Sequence, residues 1–204
     1  MLDGEIKVRE MTANDLHAVA SVHSIAFAGF FLEAMGKPFL RGYYDIVLRY
    51  PGAVSLVAED RSGCLIGFVV GFINPSGFYA FLKSQWLRLL PGALYALLRR
   101  PYLLARIFVS NLRVRKKSKP VLHDMEATTE LASIAVASRE GGVGSLLIRN
   151  FLVKCQERQA RRVVLTTDMK ENSMVQRFYR KHGFKEIGVE RNGRREMLVF
   201  ERKL

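Results

Sequence analysis

The chain has 204 residues, enough to bury the core of one domain, and we expect residues 1–204 to form a single one. Hydrophobic residues make up 49% and charged residues 25%, a balance that excludes global disorder. The net charge of +13 favours anionic partners and disfavours polycationic substrates, whose approach it would repel.

The amino-terminal MLDGEIKVRE is charged and lacks the apolar centre of a secretory signal. The longest apolar run, Cys64 to Ile73, is about half of the ~20 residues a membrane-crossing helix needs. Together these lead us to expect a cytoplasmic protein. Cys64 and Cys155 each stand in an apolar run and are expected to be buried, reduced thiols. His17, His23, His123 and His182 have no ligand spacing, so no metal is expected.

Taken in chain order, IKVRE (6–10) alternates like a strand. Thr12 is a candidate N-cap with Asp15 at the third helical position, ahead of the helically spaced AVASVHSIAF (18–27). Pro38 suits the first turn of a second helix over FLRGYYDIVLRY, which Pro51 ends. VSLVAED and CLIGFVVGFI, joined through Arg61-Ser62-Gly63, form a hairpin. Residues 74–120 are aromatic, basic and interrupted by Pro75, Pro91 and Pro101, which predicts an insertion of short helices. MEATTELASIAV (125–136) is strand-like, and Gly141 to Gly144 lead into the amphipathic helix SLLIRNFLVKCQER. RRVVLTT is a strand. Asn172 caps the helix SMVQRFYRKH, which Gly183 stops, with His182 at its carboxyl end beside the helix dipole. FKEIGVE, the turn Asn192-Gly193 and RREMLVFERK close the chain as a hairpin. The order is α/β with a mixed sheet.

Two segments carry chemistry. In the first, the strand ending Ile134-Ala135-Val136 feeds Arg139-Glu140-Gly141-Gly142-Val143-Gly144-Ser145, a glycine-rich turn that opens a helix. The first helical turn leaves N–H groups unpaired and carries partial positive charge, so glycines there can admit a phosphate. No Gly-Lys-Ser/Thr follows, and the glycine spacing is not that of a dinucleotide-binding turn. The second segment holds Asn172, Val175, Phe178, Tyr179, Gly183 and Phe184. By itself it reads as a helix with core aromatics.

Together the two segments resemble the GNAT superfamily of N-acetyltransferases. Arg139-x-x-Gly142-x-Gly144 stands for one family motif, and Asn172, Val175, Phe178-Tyr179, Gly183-Phe184 stand for the other. The resemblance implies a GNAT fold: a mixed, mostly antiparallel twisted sheet of about seven strands with flanking helices. It implies acetyl-CoA as donor. N–H groups of Gly141 to Ser145, with Arg139 nearby, would hold the pyrophosphate. Ile134, Ala135 and Val136 would meet the pantetheine arm in a slot opened toward Val163 to Thr167. Asn172 would line that slot, and Tyr179 would protonate the departing thiolate. A strand N–H such as that of Val136 would stabilise the oxyanion. ELASIAV resembles a family strand whose Glu faces the reaction, which makes Glu130 the candidate base, with Glu126, Asp124 and His123 as substitutes. Only Ala137 and Ser138 separate Val136 from Arg139, a shorter connection than the family usually has.

FLEAMGKPFLRGYY followed by VAED and IGFVVGF resembles a bacterial subgroup associated with amino-sugar and surface-polysaccharide acetylation, which implies a small anionic amine as acceptor. A protein or peptide acetyltransferase and a non-catalytic acetyl-CoA or nucleic-acid-binding module are the other readings. WLRLLPGALYALLRRPYLLARIF could lie on an anionic membrane face, cover the acceptor as a lid, or form a homodimer contact. The plainer expectation is packed helices with a solvated basic side. RVRKKSK is expected to be a solvated run rather than a nucleic-acid site.

Overall fold

A computed structural model describes residues 6–101, 127–137, 141–170, 172–192 and 195–204. Its elements follow the chain as β1 (Lys7–Glu10), α1 (Leu16–Ala26), α2 (Phe31–Ala34), α3 (Gly36–Arg49), β2 (Ala53–Glu59) and β3 (Leu65–Ile73). The insertion then supplies α4 (Pro75–Ser84), a 3-10 turn (Trp86–Leu89) and α5 (Leu90–Arg99). The second half is β4 (Thr128–Val136), α6 (Val143–Glu157), β5 (Arg162–Asp168), α7 (Ser173–Lys181), β6 (Lys185–Asn192) and β7 (Arg195–Lys203). The strands form one sheet in the order β1-β2-β3-β4-β5-β7-β6, antiparallel except where β4 meets β5. This is the expected α/β architecture.

Each face of the sheet has its own core. On one side α6 buries Val143, Leu147, Ile148, Phe151, Leu152 and Cys155 against Val54, Leu56, Val69, Leu131, Val163 and Leu165. On the other, α1 and α3 bury Val19, Leu40, Tyr44 and Val47 against Val57, Phe68, Val70 and Phe72, with Phe78 of α4 stacked on Phe72. The seating of α6 depends on a glycine in the middle of β3. A Cβ on Gly71 would clash with the edge of the Phe151 ring and lie 2.6 Å from the Glu130 carbonyl oxygen. Larger side chains there would lift the helix off the sheet and displace its amino terminus.

The capping pair Thr12–Asp15 forms, though the helix enters through a 3-10 turn (Ala13–Asp15). Asp15 Oδ2 accepts the Thr12 N–H at 2.7 Å, and Arg9 donates to both Asp15 oxygens at 2.7 Å and also to Glu59. The Arg9 guanidinium holds the Asp15 carboxyl down at about 2. A depressed carboxyl stabilises the fold above its unfolded pKa, and that contribution disappears as pH falls through the folded value. The Asp15→Asn variant is therefore expected to lose about 2 kcal/mol at neutral pH, a deficit that closes between about pH 4 and pH 2. Urea unfolding across that range measures it.

One expectation is corrected here. Cys64 is exposed at the end of the β2–β3 turn, because Asp60 Oδ1 accepts from Ser62 N, Ser62 Oγ and Cys64 N and folds this corner outward. Cys155 is buried, and burial pushes its thiol up to about 12, so it is inert packing.

Candidate active site

The site begins where two strands part. β4 and β5 pair in parallel through Thr128↔Arg162, Thr129↔Val163 and Glu130↔Val164, and the pairing stops there. Both strands continue, β4 to Val136 and β5 to Asp168. The cause lies in β4: opposite β3 its register jumps from Ser133↔Val70 to Leu131↔Gly71, so Ala132 is an extra residue that bends the strand. The result is a wedge-shaped gap through the sheet with Glu130 at its apex. Beyond β4, the Ala137 N–H donates to Ile66 O at 2.7 Å, toward β3. Strand alternation then turns the N–H groups of Val136 and Ile134 the other way, into the gap.

At the mouth of the gap on the α6 face, Gly141 and Gly142 have φ of 73° and 68°, left-handed values that glycine adopts without penalty. Gly142 is the N-cap of α6, and the first helical bond runs from Leu146 N to Gly142 O. The N–H groups of Val143, Gly144 and Ser145 therefore have no carbonyl within the helix. A Cβ at Gly142 would meet nothing within 4 Å among the described residues. Open space over bare N–H groups, at the positive end of a 15-residue helix, fits a diphosphate. Ser138, Arg139 and Glu140 lie outside the described residues, as do the substitute bases His123, Asp124 and Glu126.

The second motif packs against this corner. Phe178 lies on Gly144, where a Cβ would sit 3.5 Å from the ring, and within 4.7 Å of the His182 ring centre. Tyr179 is buried between Phe178, Phe184 and Phe200. Burial pushes its phenol well above the ordinary value, so it keeps its proton at neutral pH. Its hydroxyl has no hydrogen-bond partner among the described residues.

Two expectations for this segment change. Asn172 stands at the N-cap of α7, but its side chain does not cap the helix. Its Nδ2 donates to Thr167 Oγ1 at 2.6 Å, tying the helix start to the splayed end of β5. His182 does end α7, yet it is not a cation serving the dipole. Burial first, then Arg149, Lys181 and Arg202, lower its pKa, and the neutral ring shares a 3.0 Å hydrogen bond with Ser145 Oγ.

On the opposite face, the Tyr79 hydroxyl of α4 donates to Glu130 Oε1 at 2.9 Å. Burial and the Glu130 charge raise the phenols of Tyr79 and Tyr43, so both remain neutral beside the carboxylate. Tyr79 has no motif around it in the sequence. Only the contact across 51 positions reveals it. Among the described residues no cluster of His, Cys, Asp or Glu could hold a metal ion.

Residues 111–184 match the family model for the acetyltransferase (GNAT) family. That segment, about a third of the chain, is similar to the acetyltransferase (GNAT) family. A search of curated proteins finds no match. Among solved structures, the chain is similar to a ribosomal-protein-alanine N-acetyltransferase from Brucella melitensis, at 17% identity and TM-score 0.62, over 97% of this chain and 99% of that one. It is also similar to the ribosomal-protein-S18-alanine N-acetyltransferase from Escherichia coli (12%, TM-score 0.60, 98% and 94%). A third is a Salmonella typhimurium acetyltransferase solved with acetyl-CoA (12%, TM-score 0.60, 97% and 93%). At these identities the likeness shows the fold.

Proposed function

We propose that the protein moves the acetyl group of acetyl-CoA to the primary amine of a small anionic acceptor, an amino sugar or nucleotide-linked amino sugar. On this reading residues 1–204 act as one cytoplasmic domain. The diphosphate rests on the N–H groups of Gly141 to Ser145. Glu130 takes the proton from the attacking amine, directly or through water. The Val136 N–H, turned into the gap, donates to the acetyl oxygen as negative charge develops there. Tyr179, neutral and buried, gives its proton to the departing thiolate. Asn172 lines the gap from the far side through its bond to Thr167.

The observation that carries the acceptor reading is the Tyr79–Glu130 hydrogen bond. It brings a residue of the insertion onto the candidate base and narrows the acceptor side, which suits a small molecule better than an extended peptide. The net charge of +13 supports an anionic acceptor. The second reading is a protein or peptide acetyltransferase. It draws on the two structural neighbours named for alanine acetylation of ribosomal proteins.

A thiol-release screen over amino sugars, nucleotide-linked amino sugars, amino acids, polyamines and peptides separates the two. Nucleotide-linked amino sugars are expected to give the highest kcat/KM and polyamines the lowest. Turnover of alanine-terminated peptides with none on any sugar would overturn the small-acceptor reading. With the best acceptor, Glu130→Gln is expected to lower kcat about 10²-fold at neutral pH and to recover as rising pH deprotonates the amine.

A further inference from the structure

Helix α5 is turned the wrong way for an ordinary surface helix. Its buried residues are small: Gly92 and Ala96, with Ala93 half-buried beside them. They press so closely on α3 that a Cβ at Gly92 would lie 2.6 Å from Phe39 Cα. Leu97 is half-buried against the same core, but the other large apolar side chains point outward. Leu90, Leu94 and Leu98 recur every four residues and are 45%, 61% and 77% exposed, and Trp86 (55%) and Leu87 (60%) extend the same surface through the preceding turn. None of these side chains belongs to a core cluster among the described residues, and an apolar surface of this extent exposed to water marks a contact.

The charges around it select the partner. Lys83, Arg88, Arg99 and Arg100 are exposed along the same stretch, with Arg99 lying 5.1 Å over the Tyr95 ring. No Asp or Glu occurs between Arg61 and His123 in the sequence. A second copy of this face would bring like charges together. A nucleic acid would satisfy the cations but leave the leucines wet. An anionic bilayer meets both demands, with acyl chains for the leucines, headgroups for Lys and Arg, and an interfacial depth suited to Trp86. We propose that the 3-10 turn and α5 form a docking surface for an anionic lipid bilayer, with Trp86, Leu87, Leu90, Leu94 and Leu98 entering the interface and the flanking cations pairing with phosphate headgroups. α4 precedes this surface directly and carries Tyr79, so docking would hold the acceptor side of the gap close to the membrane.

Trp86 is the sole tryptophan of the chain, so its emission reports on this surface alone. The full-length protein is mixed with vesicles of phosphatidylcholine and with vesicles of equal parts phosphatidylcholine and phosphatidylglycerol. A blue shift and co-sedimentation with the anionic vesicles are expected, weakened by added salt and absent with phosphatidylcholine. The double variant Leu94→Glu/Leu98→Glu is expected to partition at least about tenfold more weakly with unchanged Tm and unchanged acetyl transfer. Four results would overturn the proposal: no shift with anionic vesicles, a shift that follows protein concentration without lipid, an equal shift with RNA, or undiminished partitioning of the double variant.

Discussion

The Tyr179→Phe variant is expected to bind acetyl-CoA within about twofold of the parent while its kcat falls by about 10²-fold or more, in the range that general acids contribute. The separation follows from what the substitution removes. The ring stays, and with it the contacts to Phe178, Phe184 and Phe200. The hydroxyl bonds to no described residue, so no internal hydrogen bond is lost and Tm should hold. What disappears is a proton that burial keeps in place at neutral pH. Steady-state kinetics beside calorimetric binding measures both quantities, and equal turnover would remove Tyr179 from the reaction.

Gly142→Val attacks the other end of the cofactor. At φ 68° a β-branched residue costs about 1–2 kcal/mol of backbone strain, so a modest drop in Tm is expected. No atom of another described residue lies within 4 Å of the added Cβ, so among the described residues the side chain meets nothing there. It then stands where the diphosphate approaches the helix. Losing one or two hydrogen bonds to a charged group, at about 1.5–3 kcal/mol each, raises the Kd for acetyl-CoA about 10- to 100-fold or more. Gly144→Ala is the control, because its Cβ makes an ordinary 3.5 Å contact with Phe178 and its backbone needs no left-handed turn. An unchanged Kd in Gly142→Val would contradict the diphosphate position.

Much of this was legible before any coordinates. Local signals place the elements. Two apolar runs joined by a short Gly-containing turn mark β2 and β3, Gly183 stops α7, and the double glycine opens α6. The donor side is legible because its determinants are backbone ones, and glycine at fixed spacing advertises them. The acceptor side is not, because its geometry comes from contacts far apart in the chain. Tyr79 reaches Glu130 across 51 positions, and the bulge at Ala132 depends on how β4 meets β3. Asn172 fits a helix cap by type and position, but the hydroxyl of Thr167 competes for its side chain and wins. Periodicity found the amphipathic character of α5 without revealing that its small residues face the protein and that Leu90, Leu94 and Leu98 face out.

The most direct measurement is a crystal structure of the protein with acetyl-CoA. The diphosphate oxygens are expected within about 3 Å of the N–H groups in residues 141–145, with the pantetheine arm passing between Val136 and Thr167 and the thioester facing Tyr179. A diphosphate bound elsewhere, or a β4–β5 gap closed by protein atoms with the ligand outside it, would contradict the assignment.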